Sequence, residues 1–340
     1  MNRTRAHYLL AIVAGAVLPL AFAPFEWFFV APLSYAVLLY VWTDAAPRRA
    51  FGLGLAYGCA SFGLGTYWTY IAVRVIGQAP VFVGVTLTAG LVIVLAAFIA
   101  VAGLAAARGF RTRGAAAWLV TLPALFVLGE WLRGWMFTGF GWLGAGYSQT
   151  DSWLIGYAPL GGILAMSLAV LVTSGALLTF VLGSMRERAA AAAVVLAVWL
   201  GGFAARGVEF TQAKDEALDV ALAQGNIAQD LKYEPEQLRP MMELYAELTR
   251  QGAGADLVIW PEAAIPTYLD YIEDYVDAVR RFAAEHGSTV LLGILQPAPN
   301  STNIEEFQNI VVAFFEEVFD TFTGDVFQRL GGILTFPGAI

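Results

Sequence analysis

Seven apolar runs separated by arginines constrain this chain more than any other feature of its sequence. They cover residues 8–23, 28–42, 51–71, 81–107, 115–129, 160–183 and 189–205. A helix needs about 20 apolar residues to cross a hydrocarbon core of ~30 Å. Most of the runs approach that length, and the first two are the shortest. A mean hydropathy of +0.66 with only 14% charged residues fits a polytopic membrane protein and not a soluble one. The first run reads as a span and not as a removable signal, because no small-residue cleavage pattern follows it and further spans do.

Charge divides the chain at the end of the seventh run. Residues 1–206 carry 12 Lys+Arg against 5 Asp+Glu, a net of +7, whereas residues 207–340 carry 7 against 22, a net of −15. A mildly basic membrane part (1–206) is thus followed by an acidic soluble part (207–340), and an acidic domain argues against nucleic-acid binding. Nine arginines (Arg3, Arg5, Arg48, Arg49, Arg108, Arg111, Arg113, Arg186, Arg188) fall in loops of one side, and only Arg74, Arg133 and Arg206 in the others. The positive-inside rule then puts the N-terminus in the cytoplasm. Seven crossings deliver the acidic domain to the opposite, extracytoplasmic face.

Two stretches of the membrane part stand out. Gly54 and Gly58, four residues apart in the third run, predict close helix packing. The lone cysteine, Cys59, lies in the same run; apolar surroundings keep such a thiol protonated and inert, and one cysteine excludes both an internal disulfide and a Cys-rich metal site. The second stretch, residues 130–149, crowds Trp131, Trp135, Phe137, Phe140, Trp142 and Tyr147 between glycines. It reads equally well as an interfacial aromatic belt, with Glu130 and Arg133 paired one turn apart, or as a pliable apolar surface that admits a lipid chain.

The soluble part alternates strand and helix. Residues 218–223 alternate as a strand, Gln224-Gly225-Asn226 turns the chain, and Pro235 opens a helix with Leu238, Met241, Tyr245 and Leu248 at helical spacing. A strand over 256–260 follows. A helix over 268–286 buries Leu269, Ile272, Val276, Val279 and Phe282 and stops at Gly287. Strands over 289–295 and 309–315 complete an opening half of an α/β domain. His286 at the helix end reads as a cap. Pro261 halts the second strand, so Glu262 sits at the strand mouth, where open α/β sheets place their chemistry. A carboxylate there, partly buried between Trp260 and Ile265, suits a general base; a solvated turn glutamate is the plainer reading.

These residues also carry a resemblance. Residues 130–149 (EWLRGWMFTGFGWLGAGYSQ), 223–235 (AQGNIAQDLKYEP) and 257–266 (LVIWPEAAIP), with Phe307-Gln308-Asn309 at a later strand start, are similar to apolipoprotein N-acyltransferase, the bacterial inner-membrane enzyme family that finishes lipoprotein maturation. The resemblance implies a polytopic helical membrane domain followed by a nitrilase-like α/β domain, incomplete here, on the extracytoplasmic face. It implies a Glu-Lys-Cys triad and no cofactor or metal. A phospholipid would acylate the cysteine, and the acyl group would pass to the α-amino group of the diacylglyceryl-cysteine of an apolipoprotein. Glu262 matches the family's base; Tyr233 falls near the family's acyl-binding cleft, and Trp260 is taken as a second substrate-binding residue.

The departures from the family pattern are equally specific. The only lysines, Lys214 and Lys232, precede Glu262, and no cysteine follows Cys59. Residues 316–340 form an acidic, aromatic tail in which Arg329 could supply charge but cannot shuttle protons, because a guanidinium stays protonated. The chain therefore reads as truncated or divergent after about residue 315, with an incomplete triad. The alternative function is a catalytically dead polytopic scaffold or lipid-binding module. A transporter ranks third, because few ionisable residues lie in the spans.

Overall fold

The computed structural model describes residues 3–110, 112–211, 217–229, 231–297, 307–314 and 333–335, the last two segments and residues 296–297 by their backbone alone. The chain divides into two compact units, Met1–Gln212 and Ala213–Ile340. The tail expected over 316–340, with Arg329, lies outside the described residues apart from the backbone of 333–335, and Lys214 also lies outside them.

The first unit is helical: α1 (Arg3–Val17), α2 (Val30–Trp42), α3 (Pro47–Gly65), the single turn α4 (Trp68–Ile71), α5 (Val81–Gly109), α6 (Leu122–Arg133), α7 (Ala158–Leu182) and α8 (Met185–Ala205). Among the described residues, four stretches are long and apolar enough to cross a membrane: Arg3–Ala21, Val81–Gly109, Trp153–Leu182 and Met185–Ala205. Glycines set the close approaches. A Cβ on Gly54 would stand 2.9 Å from the Ala100 Cα, and one on Gly58 would stand 2.7 Å from the Ala96 Cα, so α3 lies backbone-to-backbone on α5. That is the packing role expected of the pair. Cys59, beside them, packs partly buried against the core of this unit.

Several buried polar side chains in this unit bond to helix backbone and to one another, as a medium without water favours. The Ser34 hydroxyl donates to the Ala14 carbonyl at 2.7 Å and meets the Tyr57 hydroxyl at 2.7 Å. The Trp42 indole donates to the Ala50 carbonyl at 3.1 Å. Two expected spans change shape locally. The run over 160–183 is broken by Gly161 and Gly162, the latter at φ +61°, so its regular helix begins beyond them. The run over 115–129 starts as a π-turn (Ala117–Thr121) and continues one turn further than expected, ending at Arg133 with Gly134 as C-cap. Ser184 opens α8 with a capping box closed by Glu187.

The second unit carries a five-stranded sheet in the order β1 (Val220–Leu222), β2 (Leu257–Ile259), β3 (Thr289–Pro297), β4 (Phe307–Phe314) and β5 (Ile333–Thr335). Pairs β1/β2 and β2/β3 are parallel; β3/β4 and β4/β5 are antiparallel. Helix α9 (Leu238–Gln251) connects β1 to β2, and α10 (Glu273–Glu285) connects β2 to β3, which makes two successive βαβ units. The two helices meet where the Tyr275 hydroxyl donates to the Met242 carbonyl at 2.7 Å.

The expected helical stripes pack as the core, with one adjustment each. In α9 Met241 and Tyr245 are buried while Leu238 and Leu248 are partly so, and Thr249 joins them. In α10 Ile272, Val276 and Val279 are buried and Ala283 takes the place expected for Phe282. The Phe282 ring instead stacks on His286 at 4.2 Å, and the His286 Nδ1 lies 2.8 Å from the Phe282 carbonyl, the capping role expected of it.

Candidate functional site

Parallel strands bring their C-terminal ends to one edge of the sheet, and here that edge gathers three segments. After β1 the chain runs through Gln224-Gly225-Asn226; after β2 it runs through Trp260-Pro261-Glu262; and β3 ends at Pro297. The antiparallel register of β4 pairs Phe307 with Pro297 and Asn309 with Leu295, so the Phe307-Gln308-Asn309 start belongs to the same edge. The two loops carry the left-handed non-glycine residues among the described residues of the unit: Asn226 has φ +51° and Ala263 has φ +46°. Non-glycine residues in that region are uncommon and concentrate at functional turns.

Glu262 hangs on this edge. Trp260 still hydrogen-bonds to β3 through its backbone N–H and the Leu291 carbonyl at 2.9 Å, and Pro261 then ends the pairing. The chain next crosses over β3, where a Cβ on Gly293 would stand 3.1 Å from the Glu262 Cα and 3.2 Å from the Ala263 nitrogen. Gly293 is therefore the residue that lets the Glu262 turn sit on the sheet. A glycine inside a strand is the sequence signal that could have marked it. One expectation is corrected: Glu262 is exposed instead of partly buried, because Trp260 and Ile265 turn inward into the core and leave the carboxylate outside.

Of the two expected substrate-binding residues, Tyr233 is 62% exposed and Trp260 only 4%. The Trp260 indole donates to the Thr249 hydroxyl at 3.0 Å and packs between Tyr245 (centroids 5.0 Å) and Tyr275 (6.4 Å). It anchors the end of β2 from beneath. On the neighbouring loop, Gly225 lies against the Tyr245 ring, where a Cβ would stand 2.7 Å from the hydroxyl oxygen. Both loops of the edge are thus tied to one aromatic cluster on α9 and α10. Burial pushes the Tyr245 and Tyr275 phenols up, that of Tyr275 strongly, so both stay neutral through the physiological range.

A second polar cluster lies within the helical unit. Glu130 and Arg133 bind the aromatic loop that follows them instead of bonding each other. The Glu130 Oε1 accepts from the Ser167 hydroxyl at 2.7 Å and from the Ala145 N–H at 3.1 Å. The Arg133 guanidinium donates to the Phe140 carbonyl at 2.6 Å and the Trp142 carbonyl at 2.7 Å, and lies 5.1 Å from the Phe62 ring centroid. The void beside this pair, lined also by Tyr35 and Phe126, has room for about one water at ≈ 20 Å³. An acyl chain does not fit inside it. The loop it pins nonetheless exposes Trp135 (56%), Phe137 (78%) and Trp142 (52%), a large apolar rim.

Comparison with known proteins matches both units in order. The profile of the apolipoprotein N-acyltransferase N-terminal domain matches residues 14–177, and that of the carbon-nitrogen hydrolases matches residues 219–314. The chain is 38% identical to the apolipoprotein N-acyltransferase of Coxiella burnetii over 288 residues, covering 84% of this chain and 59% of that protein. It is 40% identical to the namesake of Azotobacter vinelandii over 311 residues (90% and 60%). It is 33% identical to that of Vibrio cholerae over 334 residues (97% and 65%). The chain thus spans about 60% of the length of the Coxiella and Azotobacter relatives.

Proposed function

The chain belongs to the apolipoprotein N-acyltransferase family, and from that premise we propose that it handles an acyl chain bound for the N-terminus of a lipoprotein. The donor is a phospholipid and the acceptor is the α-amino group of a diacylglyceryl-cysteine. The supporting observation is the placement of Glu262 at the C-terminal edge of the parallel strands, on a turn that passes close over Gly293.

In the reaction, Glu262 is the base. It takes the proton from a thiol as sulfur attacks the ester carbonyl of the phospholipid, and the lysophospholipid alcohol leaves with a proton. The thioester then yields its acyl group to the lipoprotein amine, whose proton passes to the same carboxylate as the thiol is restored. A lysine would steady the oxyanion of each step. Exposed Tyr233 offers a surface for the acyl chain, and Trp260 forms the floor that holds the Glu262 turn. Within these 340 residues the lone cysteine sits in α3 and both lysines precede Glu262.

Seven crossings of a bacterial inner membrane, with the N-terminus cytoplasmic, place the α/β unit outside the cytoplasm. The apolar rim that Trp135, Phe137 and Trp142 expose supports a second reading, a polytopic scaffold or lipid-binding module without chemistry of its own.

Native mass spectrometry of the purified polypeptide, incubated with phospholipid and a diacylated lipopeptide, separates these readings. The expected result is retained lipopeptide with no acyl adduct on Cys59. An acyl adduct on Cys59 overturns the assignment of the nucleophile. Absence of retained lipopeptide overturns the proposed function, and retention that Glu262→Gln and Tyr233→Ala leave unchanged favours the lipid-binding module.

A further inference from the structure

The basic end of the helical unit holds a group of buried nitrogen atoms without a hydrogen-bond partner among the described residues. His7, in the second turn of α1, is only 7% exposed, yet its Nδ1 has no hydrogen-bond partner. Arg49, in the first turn of α3, buries its Nε and one Nη, also without partners. Arg49 and Arg3 are the charged groups whose fields reach the His7 ring, which rests 5.5 Å from the Tyr40 ring. No side chain caps the N-terminus of α3, so its helix dipole adds partial positive charge beside Arg49.

An unsatisfied buried guanidinium is costly, and evolved chains pair such groups with an acid or a bound anion. The nearby acid Asp44 is occupied, bonding Arg113 at 2.7 Å. Beside His7 on α1, Leu10, Val13 and Val17 repeat at i, i+3 and i+7 and are 42%, 51% and 38% exposed. A phosphate at one end and a bare apolar stripe running from it match a lipid better than a soluble anion. We propose that His7 and Arg49 bind the phosphate of an anionic membrane lipid, its acyl chains lying along the Leu10–Val13–Val17 face of α1. This site is separate from the sheet edge of the other unit, and its test does not depend on acyl transfer.

The test uses the full chain in nanodiscs of phosphatidylglycerol or phosphatidylcholine, released into native mass spectrometry. The wild type should retain phosphatidylglycerol through release and lose phosphatidylcholine, and millimolar inorganic phosphate should not displace the bound lipid. Arg49→Gln should lower retention about tenfold, the scale of a lost charge-assisted hydrogen-bond pair. Arg49→Lys, which keeps the charge and loses the fork, should fall between and serves where the glutamine variant does not fold. Arg48→Gln removes an exposed neighbour and should change nothing. Equal retention by both Arg49 variants, an equal loss in Arg48→Gln, or equal retention of the two lipids overturns the site. Displacement by inorganic phosphate overturns the lipid assignment.

Discussion

At residue scale the account turns on small groups at tight places. Gly293 admits the Glu262 turn, so Gly293→Val should shift that turn and destabilise the α/β unit by about 1–3 kcal/mol, the usual cost of overpacking. Hydrogen exchange of the backbone amides over 260–268 would read the shift. Tyr275 gives a pH signature. Burial favours its neutral form in the folded state, so its folded pKa lies above the unfolded value of about 10. Its contribution is complete below that value and is lost as pH rises beyond it, with Tyr245 adding in the same direction. Thermal stability should therefore fall above about pH 10, and Tyr275→Phe should flatten that slope while costing about 0.5–1.5 kcal/mol at neutral pH through the lost bond to Met242. Strand-Pro-Glu was legible in the sequence as a strand mouth. The exposure of Glu262 was not, because the inward turn of Trp260 and Ile265 depends on an aromatic partner, Tyr245, on a helix before β2 and on another, Tyr275, on the helix after it.

At element scale the apolar runs translated well into helices, since length and hydropathy are local properties that any membrane span must satisfy. Boundaries moved where a local rule competed: Gly161 and Gly162 cut the start of α7, and α6 gained a turn whose end Arg133 holds by donating to the loop beyond. The Glu130–Arg133 spacing suggested a pair because one helical turn brings such side chains together. Both instead turn to the backbone of the aromatic loop, a partnership between segments that no helical spacing reveals. The Gly54 and Gly58 pair was legible and its partner was not, for the sequence names the small face and leaves open which helix covers it. A methyl on Gly58 meets α5 backbone at 2.7 Å, so Gly58→Ala should lower the melting temperature in detergent, whereas Gly63→Ala, with open space around it, should not. Equal shifts in the two variants would contradict the packing of α3 on α5.

At the scale of the whole molecule, a basic helical unit is joined to an acidic α/β unit whose candidate edge is defined by strand direction. Nine arginines on one set of loops against three on the other set the proposed orientation. In a Cys59→Ser background, a cysteine placed at residue 233 should react with a membrane-impermeant maleimide in intact cells, and one placed at residue 113 should react only after permeabilisation. The family was legible in the order of its motifs, because two long segments on two different units coincide by chance far less often than one. Of the candidate edge, the strand-mouth position of Glu262 was legible and the glycine beneath its turn was not, because that contact joins segments distant in sequence. The central claim is that the edge bearing Glu262 receives the lipoprotein N-terminus, and photo-crosslinking with a diacylated lipopeptide carrying a diazirine beside its α-amino group tests it most directly. The account predicts adducts mapping to residues 224–233 and 260–268, competed by unlabelled lipopeptide. Adducts confined to the helical unit, or an unchanged map in Gly293→Val, would contradict it.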